Sequence, residues 1–230
     1  RQEDLTCLET SAVAVAAMTP HHPKQQKAGC MFLLGEQRSD GAWPIGLPIG
    51  DATVNHYPSV TGFVINTLKV ASPSATSAMA AGRQFLFAAQ KTDGSWGSHF
   101  GFYDTPHYAI YQAIPALGVE HSTSSRALDF VVSRQNEDGS WGRDFVGSNQ
   151  RPSHELRTIL ALRGLVLSPA GTHGRALARG LAWLLPRQET SGCWPGGYFV
   201  NYYPNKTEDV YTTAVALLLH QVVGKIQDSD

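Results

Sequence analysis

The sequence has little cysteine, no long apolar run and no surplus of either charge, and each shortage closes off a class of function. Its three cysteines, Cys7, Cys30 and Cys193, are odd in number, far apart and without CxxC spacing. That argues against a disulfide framework and a cysteine-rich zinc site, and a reducing, cytoplasmic setting is expected. The longest apolar stretches, 11–18 and 213–219, fall far short of the roughly 20 residues a membrane-spanning helix needs. Lys and Arg number 18 against 19 Asp and Glu, a net charge of −1. With no excess of positive charge to neutralise phosphates, nucleic acid is not an expected partner. The chain starts at Arg1 without a Met or a signal-like segment, which reads as a trimmed edge.

What is present is enough apolar material for one core. With 230 residues, 42% of them hydrophobic, the chain is expected to form a single domain over 1–230. Within it a frame recurs four times: Gln37-Arg-Ser-Asp-Gly-Ala-Trp43, Gln90-Lys-Thr-Asp-Gly-Ser-Trp96, Gln135-Asn-Glu-Asp-Gly-Ser-Trp141 and Gln188-Glu-Thr-Ser-Gly-Cys-Trp194. The Gln residues lie 53, 45 and 53 apart, a period that suits two helices and their connections better than a blade of short strands.

An amphipathic run precedes each frame, at 24–37, 76–90, 124–135 and 172–188, and these are predicted outer helices. Runs apolar on most faces, at 60–70, 108–117, 156–167 and 210–223, follow the frames, and 10–18 precedes the first; these are predicted buried inner helices. The fold class expected is all-α, an α/α toroid of inner and outer helices. Asp and Gly within the frame suit a turn that leaves a helix, so the frames are read as staples between repeats. Function is expected where the amino ends of the inner helices converge, at 6–10, 56–61, 103–107, 153–157 and 208–212.

At these residues the chain resembles squalene-hopene and oxidosqualene cyclases, nearest to their carboxy-terminal catalytic barrel. The likeness runs through Gly94-Ser-Trp-Gly, Phe102-Tyr103-Asp104 and Ala116-Leu117-Gly118-Val119. The resemblance implies an isomerase- or lyase-type enzyme in which an Asp of a DxDD motif protonates an alkene or epoxide and aromatic faces stabilise the migrating cation. It implies no metal and no cofactor. No DxDD occurs here; where the resemblance places it, the chain reads Thr6-Cys7-Leu8-Glu9-Thr10 and only Glu9 keeps a carboxylate.

The candidate acids are therefore Asp104, taken first, then Asp209 and Glu9, with Glu155 as a further carboxylate. Each has a plainer reading: Asp104 as a helix cap before Pro106, Asp209 and Glu9 as acids in a first helical turn, Glu155 as the ion-pair partner of Arg157. Trp43, Tyr57, Phe102, Tyr103, Tyr108, Tyr198, Tyr202 and Tyr211 are the candidate lining of a prenyl pocket, and His107 is a candidate base. The partners expected are an isoprenoid small molecule, a peripheral membrane contact and a second copy of the chain.

Rival toroids fit less well. A zinc prenyltransferase would show Asp-x-Cys and Asp-x-Tyr-His, but Ser191 stands two before Cys193, and Thr212 follows Asp209-Val210-Tyr211. A thioester toroid needs Cys-Gly-Glu-Gln, and Cys30 is too far from Gly35-Glu36-Gln37. A glycan-acting toroid would share the aromatic platforms and paired carboxylates without the Gln-to-Trp frame. A non-catalytic isoprenoid-binding or scaffold toroid descended from a cyclase is the competing reading.

Overall fold

The computed structural model describes residues 7–18, 21–45, 58–96, 106–142, 154–169, 171–195, 212–217 and 219. Among these residues eight α-helices run in the order α1 (Leu8–Ala17), α2 (Pro23–Gly35), α3 (Pro58–Ala71), α4 (Thr76–Ala89), α5 (Pro106–Leu117), α6 (Ser122–Ser133), α7 (His154–Leu165) and α8 (Gly174–Leu184). A further helical segment covers 212–217, and no β-strand occurs among the described residues. Three of these helices open on proline, at Pro23, Pro58 and Pro106, where the missing N–H is one the first turn would leave unbonded anyway. Over the described residues the predicted helix pairs are present, with the expected outer runs shortened at their carboxyl ends; of the inner run expected at 210–223 only 212–217 and 219 are described. Each frame Gln lies just past the α-helix and its N–H turns back to the carbonyl three residues earlier, Gln37 to Leu34 and Gln90 to Phe87 at 3.4 Å, Gln135 to Val132 at 3.2 Å and Gln188 to Leu185 at 3.3 Å. The α8 run stops earlier than expected because Pro186 has no N–H to continue the ladder, and Leu185–Arg187 forms a 3-10 turn instead.

The chain divides into two compact units, residues 1–126 and 127–230. In the first, α3 packs against both α1 and α5, α2 lies against α1 and α3, and α4 against α3 and α5. Helices α3 and α5 run parallel. A Cβ on Gly62 would stand 2.7 Å from the Gln112 backbone, Asn66 Nδ2 donates to Gln112 O at 3.0 Å, and Lys69 donates to Pro115 O, so the register advances together. The bare Gly62 allows this approach. Lys69 and Arg83, the latter at 2.9 Å from Ala116 O, cap the last carbonyls of α5, where the helix dipole favours a cation. Burial, and then the Arg83 charge, lowers the Lys69 ammonium below its ordinary value. In the second unit α7 packs against α8.

The frames explain how the layers are joined. In each, Gln Nε2 donates to the carbonyl of the frame Gly at 2.9 Å, and that Gly has φ between 84° and 94°, a conformation that strains any residue with a Cβ. The indole N–H returns to the outer helix just left: Trp43 to Leu33 O at 2.6 Å, Trp96 to Leu86 O at 2.8 Å, Trp141 to Val131 O at 2.7 Å and Trp194 to Leu184 O at 3.1 Å. Among the described residues the Trp backbone N–H reaches forward to an inner helix in the first, third and fourth frames, to Oγ1 of Thr61, Thr158 and Thr213, each at 3.0 Å. The first three Gln side chains donate a second bond into the first turn of the next outer helix, to Ala78 O at 2.8 Å, Thr123 O at 2.8 Å and Ala176 O at 2.9 Å. Sequence alone did not single out Gly82 and Gly180, where a Cβ would meet the rings of Trp43 and Trp141 at 2.7 Å. Glycine in a helix interior costs about 1 kcal/mol relative to alanine, and here it admits the indole.

Candidate functional site

The described residues bring together one pair of the candidates. Glu9 sits in the first turn of α1 and Tyr108 in the first turn of α5, and the Tyr108 hydroxyl donates a hydrogen bond to Glu9 Oε1 across 99 residues of sequence. Tyr108 is 1% exposed and Glu9 half-buried, so the carboxyl is fixed at the edge of the core by a phenol that cannot turn to water. The start of α1 is itself anchored by Leu8 N–H to Ile45 O at 3.2 Å, where the chain leaves the first frame. Next to Tyr108, His107 is also buried. The carboxyl, the phenol and the imidazole therefore all belong to the first turns of inner helices in one unit.

Buried polar side chains also occur near the amino ends of α3, as Ser59 and Thr61, and of α7, as Arg157 and Thr158, and at Thr212. Some hold the scaffold: Thr61 and Thr158 receive tryptophan amides, and Arg157 Nη1 donates to Gly142 O at 2.9 Å. Glu155 lies half-buried in the first turn of α7. Trp43, expected in the pocket lining, is 0% exposed, bonded through its indole N–H and packed over Gly82, as Trp141 is over Gly180. It shares the stapling position of the other frame tryptophans. Asp104, Asp209, Tyr57, Phe102, Tyr103, Tyr198, Tyr202 and Tyr211 lie outside the described residues. The pairing of Glu9 with Tyr108 was missed in the sequence, where the two were taken separately as an acid and a lining residue. The available signal was that both stand in first turns of inner helices.

No described helix is long and apolar enough to cross a membrane. Among curated proteins, the chain is 32% identical over 129 residues to a probable squalene–hopene cyclase of Sinorhizobium fredii, covering 52% of this chain and 20% of that protein. It is 28% identical over 194 residues to the squalene–hopene cyclase of Bradyrhizobium diazoefficiens, covering 72% and 29%. Against the lanosterol synthase of Homo sapiens it is 33% identical over 131 residues, covering 50% and 17%. The matches thus span 17–29% of the length of these three relatives.

Among solved structures, the chain is similar to ent-copalyl diphosphate synthase from Streptomyces platensis, with a TM-score of 0.64 and 22% identity over 96% of this chain and 42% of that one. It is similar also to the type II terpene cyclase MstE from Scytonema, with a TM-score of 0.64 and 16% identity over 97% and 76%. These likenesses show the fold, the α/α toroid type of class II terpene cyclases. Residues 46–213 match the squalene-hopene cyclase C-terminal domain, and the chain belongs to that family.

Proposed function

We propose that this chain promotes acid-initiated, metal-independent cyclisation of a prenyl or prenyl-bearing small molecule in an aromatic-lined cavity at the amino ends of its inner helices. The observation that carries the reading is the hydrogen bond from buried Tyr108 to Glu9, which joins two inner-helix starts at a carboxyl group. In the first step a carboxylic acid gives its proton to a terminal alkene. The alkene's π pair forms the new C–H bond, the O–H pair stays on the carboxylate, and the tertiary cation left behind is attacked by the next alkene. A phenol donating to the other carboxyl oxygen stabilises the charge that develops there. His107, buried in the first turn of α5, is the proposed acceptor of the final proton. Asp104 and Asp209 are the other proposed acids. Tyr57, Phe102, Tyr103, Tyr108, Tyr198, Tyr202 and Tyr211 are the proposed lining, where ring faces stabilise the cation.

Structures of MstE hold geranylgeranyl dihydroxybenzoate as substrate and merosterolic acid A as product, so a prenylated aromatic acid belongs in the first substrate panel, beside linear prenyl compounds. Cyclisation followed by proton loss conserves mass, and the product is read as an isomer with a new retention time. Glu9→Gln, Asp104→Asn and Asp209→Asn are then made singly. The expected result is that one of them abolishes product formation while helical content and ligand binding persist. Tyr108→Phe, which removes a bond to a charged group, is expected to lower kcat about 10- to 100-fold with KM little changed. Ligand binding without turnover by the unaltered chain would replace the enzyme reading with that of an isoprenoid-binding toroid. A peripheral membrane contact, a cytoplasmic location and a pairing of copies complete the proposal.

A further inference from the structure

Three inner helices of the first unit carry a matched residue at the same distance from their starts. Counted from the first residue of each helix, the sixth is Val13 on α1, Phe63 on α3 and Tyr111 on α5. Each interrupts an otherwise closed surface. Residues 58–68 are all buried except Phe63 and Asn66, and Asn66 is bonded to Gln112 O of α5. Residues 107–114 are all buried except Tyr111. Val13 is 52% exposed, with Ala12 and Val15 buried on either side.

The packed side of each helix lies opposite. Positions two residues before or after a given one point about 200° away from it, and those are the enclosed ones. A Cβ on Gly29 of α2 would stand 2.4 Å from Val15, and one on Gly82 of α4 would stand 2.9 Å from Ile65. Thr61 receives the Trp43 amide, and Ala109 and Ala113 are 0% exposed. Val13, Phe63 and Tyr111 therefore share the inner side.

The hydrogen bond from Tyr108 to Glu9 marks where that side begins. It joins α5 to α1, and both helices pack against α3. Val13 lies four residues on from Glu9 and Tyr111 three on from Tyr108, so each continues the same helix face. The Tyr108 and Tyr111 rings are tilted by 47° with centroids 6.3 Å apart, within the range aromatic pairs favour. Beyond the acid the wall is thus apolar and aromatic. It ends in charge, where Lys69 donates to Pro115 O and Arg83 to Ala116 O at the last turn of α5, because hydrocarbon there would strip water from cations. Tyr108 to Pro115 is seven residues, about 10 Å at the helical rise. An extended chain advances about 1.2 Å per bond, so roughly eight bonds fit, the length of about two prenyl units.

We propose that Val13, Phe63 and Tyr111 form the subsite for a prenyl group of two units, which lies along this wall with its terminal alkene at Glu9. The inference rests on the reading that Glu9 marks the acid end, and it adds the length of the substrate. A two-unit group has two alkenes, so the chemistry closes a single ring. The π pair of the second alkene forms the C–C bond to the cation made by protonation, and the new tertiary cation gives up a proton to a base, leaving an isomer of the starting compound.

The test is a binding panel that needs no turnover. Linear prenyl alcohols of one to four units are titrated by calorimetry into the unaltered chain and into Val13→Asp, Phe63→Ala, Tyr111→Ala, Tyr111→Phe and Lys69→Met, with the helical content of each checked by circular dichroism. The two-unit alcohol is expected to bind most tightly. Phe63→Ala and Tyr111→Ala are expected to weaken it about tenfold, the contact of one partly buried ring, while Tyr111→Phe binds as the unaltered chain does. Val13 is exposed, so Val13→Asp keeps its fold whatever becomes of the two ring deletions, and a carboxylate on the wall is expected to weaken binding at least tenfold. Lys69→Met takes a charge from the end of the wall and is expected to move the preference to three units. Failure to bind any alcohol, equal affinity for all lengths, or affinities indifferent to the three wall positions overturns the subsite, even if product forms. A preference that Lys69→Met leaves at two units overturns the limit on length. Two-unit binding that depends on the wall positions, without any product, upholds the subsite and removes the acid-catalysed reading instead.

Discussion

The third and fourth frames stand in the same unit and use the same device, yet only one is enclosed. Gln135 joins Gly139 O to Ala176 O, and Arg179 reaches back to Asn136 O at 3.0 Å and Glu137 O at 2.8 Å. Gln188 keeps the first of these bonds alone among the described residues. Toward the inner layer the two are alike, with a tryptophan amide on a threonine hydroxyl and an indole on the preceding outer helix. The turn is therefore a local product of its own residues, while enclosure comes from a helix some forty residues on. A local conformation can thus be repeated faithfully and still contribute stability only where something is packed against it.

The largest effect expected from that difference is at the glycines. Gly139→Ala combines a left-handed conformation, about 1–2 kcal/mol, with a Cβ driven to 2.6 Å from Arg179 O, an overpacking cost of about 1–3 kcal/mol. Gly192→Ala carries the conformational cost alone, since nothing lies within 4 Å. Chemical denaturation should place the first near 3–4 kcal/mol and the second near 1 kcal/mol. Equal losses would mean that the receiving helix gives way and that enclosure adds nothing.

The glutamines should follow with a smaller gap. Gln135→Ala removes two partly buried bonds and is expected to cost about 1–2 kcal/mol. Gln188→Ala, at an exposed position, should change the stability of the monomer by no more than about 0.5 kcal/mol. A Gln188 loss as large as that at Gln135 would show that the fourth frame is covered by residues outside those described.

These contrasts also mark how far the sequence could be read. Gln, Gly and Trp were legible because each frame is written contiguously and four times, and the helix pairs followed from the runs on either side. Thr61 and Thr158 were not, because a threonine near a helix start looks like an ordinary first-turn residue until the tryptophan amide is seen to reach it. Gly82 and Gly180 look like flaws in a helix, and their use appears only with the indole in place. The Glu9–Tyr108 contact needed α1 and α5 to flank the same inner helix, an adjacency that no local pattern records. The absence of a DxDD motif from this sequence was legible at once, whereas the phenol beside Glu9 was not.

The smallest expected difference is the most informative about which side of the frame matters. Thr158→Val and Thr213→Val each remove the hydroxyl that receives a tryptophan amide, at 3.0 Å in both frames, and keep the side-chain shape. Each should cost about 1–2 kcal/mol, the loss of a bond with a buried donor left behind. Near-equal values would confine the contrast between the frames to their outward faces, where α8 covers one and no described residue covers the other. If Thr213→Val is silent while Thr158→Val is costly, the fourth frame is loose on both sides. The open edge would then reflect a weakly held end of the unit, and Gly192 would be tolerant for want of order and not for want of a neighbour.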